Sequence, residues 1–340
     1  MPKVVHLGPA NSPGGIATVI RNLVKNTPDG WDAGIISTHS PKSIFYLVAS
    51  WISSRKELIR QIKKREIDIA HIHVTHSLSW WRKMSLLRIC RKFEIPTVIH
   101  IHSGKFDEFC SGFPGRSVKR NLAFPNTVTV VLEKRWKEKL REWIPIDSWV
   151  VNNFSEKIAN REMHRVGGQI NLLLMSRDSS GKGHEFAIEI LSGLQKMGVE
   201  ARLKMTGLSN IGNSIGKTDG IEALGWVTEE EKRELIEESD FLLMPSEYEG
   251  SSMTVIESIV CGLPCIVSPA SKETLGIESM TLEIGNSEAW CKKIIDCKDS
   301  EVYDGLVREL KKQSKRFSVE ETKRKWGSIY SSLVYSDDRN

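Results

Sequence analysis

Short apolar runs separated by amphipathic stretches recur along the whole chain. Runs at 4–7, 33–37, 68–73, 97–102, 127–132 and 149–151 are rich in Val, Ile and Leu, as expected of strands buried on both faces. The intervening pattern predicts helices from Ile16 and over 44–65, 81–93 and 134–143. The second half repeats the scheme, with strands at 171–176, 201–206, 240–244 and 265–268 and helices at 184–197, 229–239 and 253–261. A last helix is predicted over 319–335. This alternation argues for parallel sheets covered by helices, in two doubly wound α/β domains. A polar stretch at 154–169, with Gly167-Gly168, reads as the linker between a domain at 1–153 and one at 170–318. Two such domains facing one another would place a ligand cleft between their strand C-terminal ends.

With 340 residues, the chain can build two full cores. Its 40% hydrophobic and 27% charged residues are those of a globular protein and exclude a disordered chain. The longest apolar stretch, 44–52, is too short to span a bilayer. Met-Pro-Lys runs straight into a strand, so no secretory signal is expected. The six cysteines (Cys90, Cys110, Cys261, Cys265, Cys291 and Cys297) lack metal-ligand spacing and are expected to be reduced, buried thiols, which fits cytoplasm. Charge is uneven: residues 1–150 hold 24 Lys+Arg against 12 Asp+Glu, and the remainder holds 24 against 31. Seven of the ten tryptophans also lie in the first half. That half calls for an anionic partner, either a membrane surface or a pyrophosphate-linked lipid. No nucleic-acid recognition motif accompanies the charge. Two segments fit a membrane face. One is the basic amphipathic stretch 43–66, which also has the pattern of a core-packing helix; the other is Trp80-Trp81-Arg82-Lys83.

Candidate chemistry concentrates at strand ends. The block from Pro245 to Val267 reads as loop, helix, turn and strand. Gly250, Ser251 and Ser252 are small, so a ligand can approach the backbone there, and a helix starting near Met253 aims free N–H groups at a diphosphate. Glu249 and Glu257 flank that start and suit sugar hydroxyls. Thr254 to Glu257 equally matches a capping box, in which Glu257 serves the backbone alone. After the strand at 171–176, Arg177 and Lys182 stand on one loop and can converge on a diphosphate as fork and point charge. The loop Gly8 to Gly15 is glycine-rich and opens a helix, but it lacks the spacing of a dinucleotide site, and no cofactor is expected. His71, His73 and His76 crowd one strand end and His100 and His102 the next, with His100 expected to point away from His102. Three histidines can bind metal, but no Asp-x-Asp motif supports an ion and none is expected.

The Glu249/Glu257 spacing followed by Cys-Gly-Leu-Pro resembles the E-x7-E signature of family-4 retaining glycosyltransferases. The resemblance runs through nearly the whole chain in element order and is strongest in the second half. It implies the GT-B architecture, with 319–340 crossing back onto the first domain. It implies a metal-independent hexosyltransferase taking a nucleotide sugar, UDP-linked in preference to GDP-linked, to a glycan or polyprenyl-(pyro)phosphate-linked acceptor. Arg177 and Lys182 match the R-x4-K that neutralises the leaving diphosphate. Gly14 and Gly15 match the loop against the donor phosphates and acceptor, Trp226 and Val227 the loop that reads the nucleobase, and His102 the histidine at the donor sugar. Glu249 would hold the sugar, Glu257 the ribose, and Gly250, Ser251, Ser252 and Met253 the diphosphate. Met205-Thr206-Gly207 departs from the Gly-Asp-Gly turn of many relatives. The enzyme is expected on the inner face of the cell membrane, in cell-surface glycan assembly. The alternative is a non-catalytic assembly protein on the same fold. A phosphorylase or epimerase is disfavoured, a pyridoxal phosphorylase being expected to be much longer.

Overall fold

A computed structural model describes residues 1–12, 14–39, 44–159, 161, 168–208 and 219–335. Pro13, part of the expected linker (160 and 162–167) and the last residues of the C-terminal segment (336–340) lie outside the described residues. The chain divides into two compact units, Met1–Phe154 joined by the C-terminal stretch from Val319, and Ser155–Ser318.

The first unit is built on β1 (Lys3–Gly8), β2 (Asp32–Ser37), β3 (Ile69–Val74), β4 (Thr97–Ile101), β5 (Thr127–Val131) and β6 (Trp149–Val150). They form one parallel sheet in the order β2-β1-β3-β4-β5-β6. β3 and β4 are buried along their whole length, which explains why, Thr97 apart, they consist of apolar residues and histidines. The helix Val319–Val334 belongs to this unit and lays Trp326 and Tyr330, both buried, against the β3 histidine His71.

The second unit holds β7 (Ile170–Met175), β8 (Ala201–Thr206), β9 (Ile221–Ala223), β10 (Phe241–Met244) and β11 (Cys265–Val267). This sheet is also parallel, in the order β11-β10-β7-β8-β9. The edge strand β9 is unforeseen in the sequence; it is three residues long and only partly buried. In both sheets strand order reverses beside the first strand of the unit, the topology that collects loops at the strand C-terminal ends. All six cysteines are buried free thiols.

Two expectations about the first unit need correction. Trp80 is fully buried and Lys83 nearly so, with its ammonium donating to Thr38 Oγ1, so the Trp80–Lys83 cluster is not a surface anchor. Only Trp81 of its two tryptophans is exposed, at 42%. Helical geometry explains this, because adjacent tryptophans lie about 100° apart and cannot share one face. His100 does not point away from His102: their ring centroids are 4.0 Å apart. Positions two apart on a strand share a face.

Candidate active site

In the second unit, the loops following β7 and β10 interlock. Glu247 N donates to Gly181 O at 2.8 Å and Tyr248 Oη to Ser180 O at 2.9 Å. Gly183 has φ +78°, and a Cβ there would stand 2.3 Å from the Pro245 carbonyl oxygen, so this close approach requires glycine. The result is that Lys182 Nζ donates to Glu249 Oε1 at 2.6 Å and lies over the Tyr248 ring at 5.5 Å. The loop after β8 joins them through Asp178 N donating to Gly207 O at 3.0 Å, and Gly207 N to Gly225 O at 2.8 Å. Arg177 is exposed on the same β7 loop. Trp226, 60% exposed, and half-buried Val227 follow β9.

The helix Met253–Cys261 begins beside these loops, with Thr254 Oγ1 donating to the Met175 carbonyl at the end of β7 at 3.2 Å. Its N-cap is Ser252, whose Oγ accepts from Val255 N at 3.4 Å. The capping-box reading of Glu257 therefore fails, because Val255 and not Glu257 occupies the third helical position. Glu257 is instead buried and accepts from Lys232 Nζ at 2.9 Å. Burial pushes its carboxyl upward, against the pull of the Lys232 ammonium. Lys232 also pairs with Glu229 at 2.7 Å. Sequence reasoning missed Lys232, which sits beside Arg233 in a Glu-rich helix, Glu229–Glu238, where a cation reads as an ordinary surface charge. That helix carries the true capping box, between Thr228 and Glu231. Gly250 is half-buried; Ser251 and Ser252 are buried at the helix start.

The remaining predicted residues lie in the first unit. Gly14 is the N-cap of the helix Gly15–Lys25 with φ 126°, a value that favours glycine. His102 follows β4, its N–H bonded to Val74 O at 2.9 Å. Its ring joins a set of five histidines on one sheet face: His6 of β1, His71 and His73 of β3, His100 of β4, and His102 itself. His6 Nδ1 lies 3.0 Å from His73 Nε2, and His73 Nδ1 2.9 Å from His102 Nε2. In a second chain, Tyr330 Oη lies 2.9 Å from His71 Nδ1, and His71 Nε2 3.1 Å from His100 Nδ1. Burial pulls His6 and His102 down to about 3 and His71, His73 and His100 well below the ordinary imidazole value. All five are therefore neutral near pH 7. His76 stands apart, paired with Ser103 Oγ at 2.6 Å. Two histidine triads have ligand atoms spaced to hold one metal ion, His6/His71/His73 and His73/His100/His102.

Residues 169–299 match the family model described as glycosyl transferases group 1. Over 329 residues the chain is 21% identical to an "uncharacterized 41.2 kDa protein in cps region" of Klebsiella pneumoniae, covering 87% of this chain and 89% of that one. The structure superposes on sucrose-phosphate synthase from Thermosynechococcus elongatus with a TM-score of 0.75 at 14% identity, over 99% of this chain and 100% of that one. Anabaena HepE in complex with UDP-glucose gives 0.74 at 14% identity, over 97% and 99%. The fold is GT-B-like. Its two Rossmann-like domains with parallel sheets agree with the architecture expected from the sequence, and the group 1 match falls on the unit that carries Arg177, Lys182, Glu249 and Glu257.

Proposed function

We propose that the protein is a retaining glycosyltransferase that moves a sugar from a nucleotide donor to a glycan or polyprenyl-(pyro)phosphate-linked acceptor in cell-surface polysaccharide assembly. The observation that carries this reading is Lys182 held 2.6 Å from Glu249, whose own loop leads into the N-terminus of the helix Met253–Cys261. A cation and a helix N-terminus stabilise a departing diphosphate, while a carboxylate beside them accepts from sugar hydroxyls. Arg177 adds a second cation, so no divalent ion is needed at the diphosphate. Gly250, Ser251, Ser252 and Met253 supply backbone to the phosphates, Trp226 and Val227 border the base, and Glu257 Oε2 takes the ribose. Gly14 and Gly15 lie against the donor phosphates and acceptor, and His102 orients sugar and acceptor.

In this reading the acceptor oxygen attacks the anomeric carbon on the face the diphosphate leaves. The carbon–oxygen bond to the diphosphate breaks, the new glycosidic bond forms, and the acceptor proton passes to a departing phosphate oxygen. The UDP-glucose complex of HepE and the cps-region relative support a UDP-sugar and polysaccharide assembly respectively. No helix among the described residues is long and apolar enough to cross a membrane. Membrane docking is proposed through the basic first unit, at exposed Trp81, Tyr46, Val48 and Ile52. Calorimetric titration with UDP- and GDP-sugars, followed by NMR of the product anomer, tests the assignment. Binding of a UDP-sugar and a retained anomeric configuration are expected; an inverted product, or no binding to any nucleotide sugar, would overturn it.

A further inference from the structure

We infer that His73, His100 and His102 bind one borderline divalent transition-metal ion, with zinc the reference case. The spacing comes first. Their ligand nitrogens lie within 4.8 Å of one another, and His73 Nδ1 stands 2.9 Å from His102 Nε2. Two nitrogens bound tetrahedrally to zinc at about 2.0–2.1 Å are roughly 3.3 Å apart. Opening the pair by a few tenths of an ångström therefore admits the ion.

One tautomer pattern satisfies the surrounding contacts and leaves the ligand nitrogens bare. Let His73 carry its proton on Nε2, and His100 and His71 on Nδ1. His73 then donates to His6 Nδ1 at 3.0 Å, His100 to His71 Nε2 at 3.1 Å, and His71 to Tyr330 Oη at 2.9 Å. Every one of these contacts becomes a donor meeting a lone pair, while His73 Nδ1 and His100 Nε2 are left bare. Metal-binding histidines characteristically donate their other ring N–H to such an outer partner. His6, His71 and Tyr330 would thus fix the ligands without touching the ion.

The third observation is an orphan. His100 is 2% exposed, and its Nε2 is buried without a hydrogen-bond partner. A buried polar atom left unmatched is costly, and a metal ion is a partner that uses a bare lone pair. Three neutral nitrogens suit zinc, cobalt, nickel or copper; magnesium and calcium prefer oxygens. His102 is the partly exposed member, and a fourth position is left for water or an anion. Because the ion takes Nε2 of His102, Nδ1 remains for a sugar hydroxyl. The site thus goes beyond the transfer chemistry and does not replace Arg177 or Lys182 at the diphosphate.

Tag-free, full-length protein stripped with chelator should bind one cobalt ion per chain. It should show the visible bands of tetrahedral cobalt, which zinc then displaces. His100→Asn and His102→Ala should each weaken binding at least about tenfold, with far-ultraviolet circular dichroism confirming that the variants fold. Should His100→Asn unfold, His102→Ala decides, since its side chain is partly exposed. No binding by the stripped wild type would overturn the inference. So would binding unchanged in a folded His102→Ala but lost in His6→Gln, which would move the ion to the other triad. None of these readouts needs a nucleotide or acceptor, so their failure leaves the transferase reading untouched.

Discussion

Lys182 and Glu249 come from loops 67 residues apart in sequence, yet their side chains meet at 2.6 Å with only 13% and 14% exposure. The cation expected at the diphosphate and the carboxylate expected at the sugar therefore hold each other in place. Removing either one changes the other's charge environment as well as its own contact.

Lys182→Ala should weaken binding of nucleoside diphosphate by about 1.5–3 kcal/mol, as for a lost charge-assisted contact. Glu249→Gln should leave nucleoside diphosphate affinity close to wild type while lowering turnover of the intact donor. Combined, the two should be non-additive by at least ~0.5 kcal/mol, as for residues in contact. Titration calorimetry on the four proteins measures this. Wild-type affinity in Lys182→Ala would remove the diphosphate role.

A different balance holds at Glu257, where a structural pair and the proposed ligand role coincide. Glu257→Gln should destabilise the fold by about 1–3 kcal/mol, because Lys232, 2.9 Å away, loses its buried countercharge. Adding Lys232→Met should recover much of that loss, since the buried ammonium, left with only the exposed Glu229 as its partner, is then absent. Donor affinity should stay low in the double variant if Glu257 holds the ribose. Recovery of both stability and affinity would mean that the carboxylate serves Lys232 alone.

These two pairs mark how far the sequence could be read. Most strands stand out as runs of apolar positions, β8 instead as an alternation of apolar residues with Arg202 and Lys204, and the Gly-rich and cationic loops follow at the predicted strand ends. The 25-residue separation of Lys232 from Glu257 leaves no local periodicity to betray the contact. The short helices Phe106–Ser111 and Gly115–Leu122 were equally hidden, broken by Gly112 and Pro114 and burying two hydrophobic residues each. The helices Ser287–Asp296 and Ser300–Ser314 did leave a signal in their side-chain caps, Asn286 and Asp299. That His100 and His102 share a face follows from the two-residue period of a strand and is legible in the sequence alone.

Lys83 provides a pH test of the first unit. Burial, helped by the charge of Arg82, pulls its ammonium down to about 7. The unfolded chain holds that proton up to about 10.4, so between the two values it binds more protons than the native state. Stability should rise with pH there, by up to about 1.4 kcal/mol per unit. Above roughly pH 9 the buried thiols oppose this: Cys90 and Cys110 are pushed up to about 12, and unfolding then releases protons. The rise should therefore be visible from pH 7 to 8.5 in urea unfolding curves. Lys83→Met should abolish it and be more stable than wild type at pH 7. A wild type and variant with parallel pH profiles would show that Lys83 titrates normally.

The basic first unit should bind anionic membranes reversibly, but through a smaller surface than the sequence implies. Trp80 and Lys83 are buried, which leaves Trp81 at 42% exposure beside half-buried Arg82, with Tyr46, Val48 and Ile52 exposed on the helix Ile44–Lys63. Each Lys or Arg near an anionic leaflet contributes about 1 kcal/mol, and at 0.15 M salt screening limits that reach to roughly 8 Å. Cosedimentation with phosphatidylserine-containing vesicles should therefore be strong at low salt and weak at high salt. Trp81→Ala should reduce it several-fold, whereas Ile52→Ser should act in the same direction only if that helix face touches lipid. No sedimentation at low salt, together with full activity on a soluble sugar acceptor, would make the acceptor a soluble glycan and the basic face unconnected with membranes.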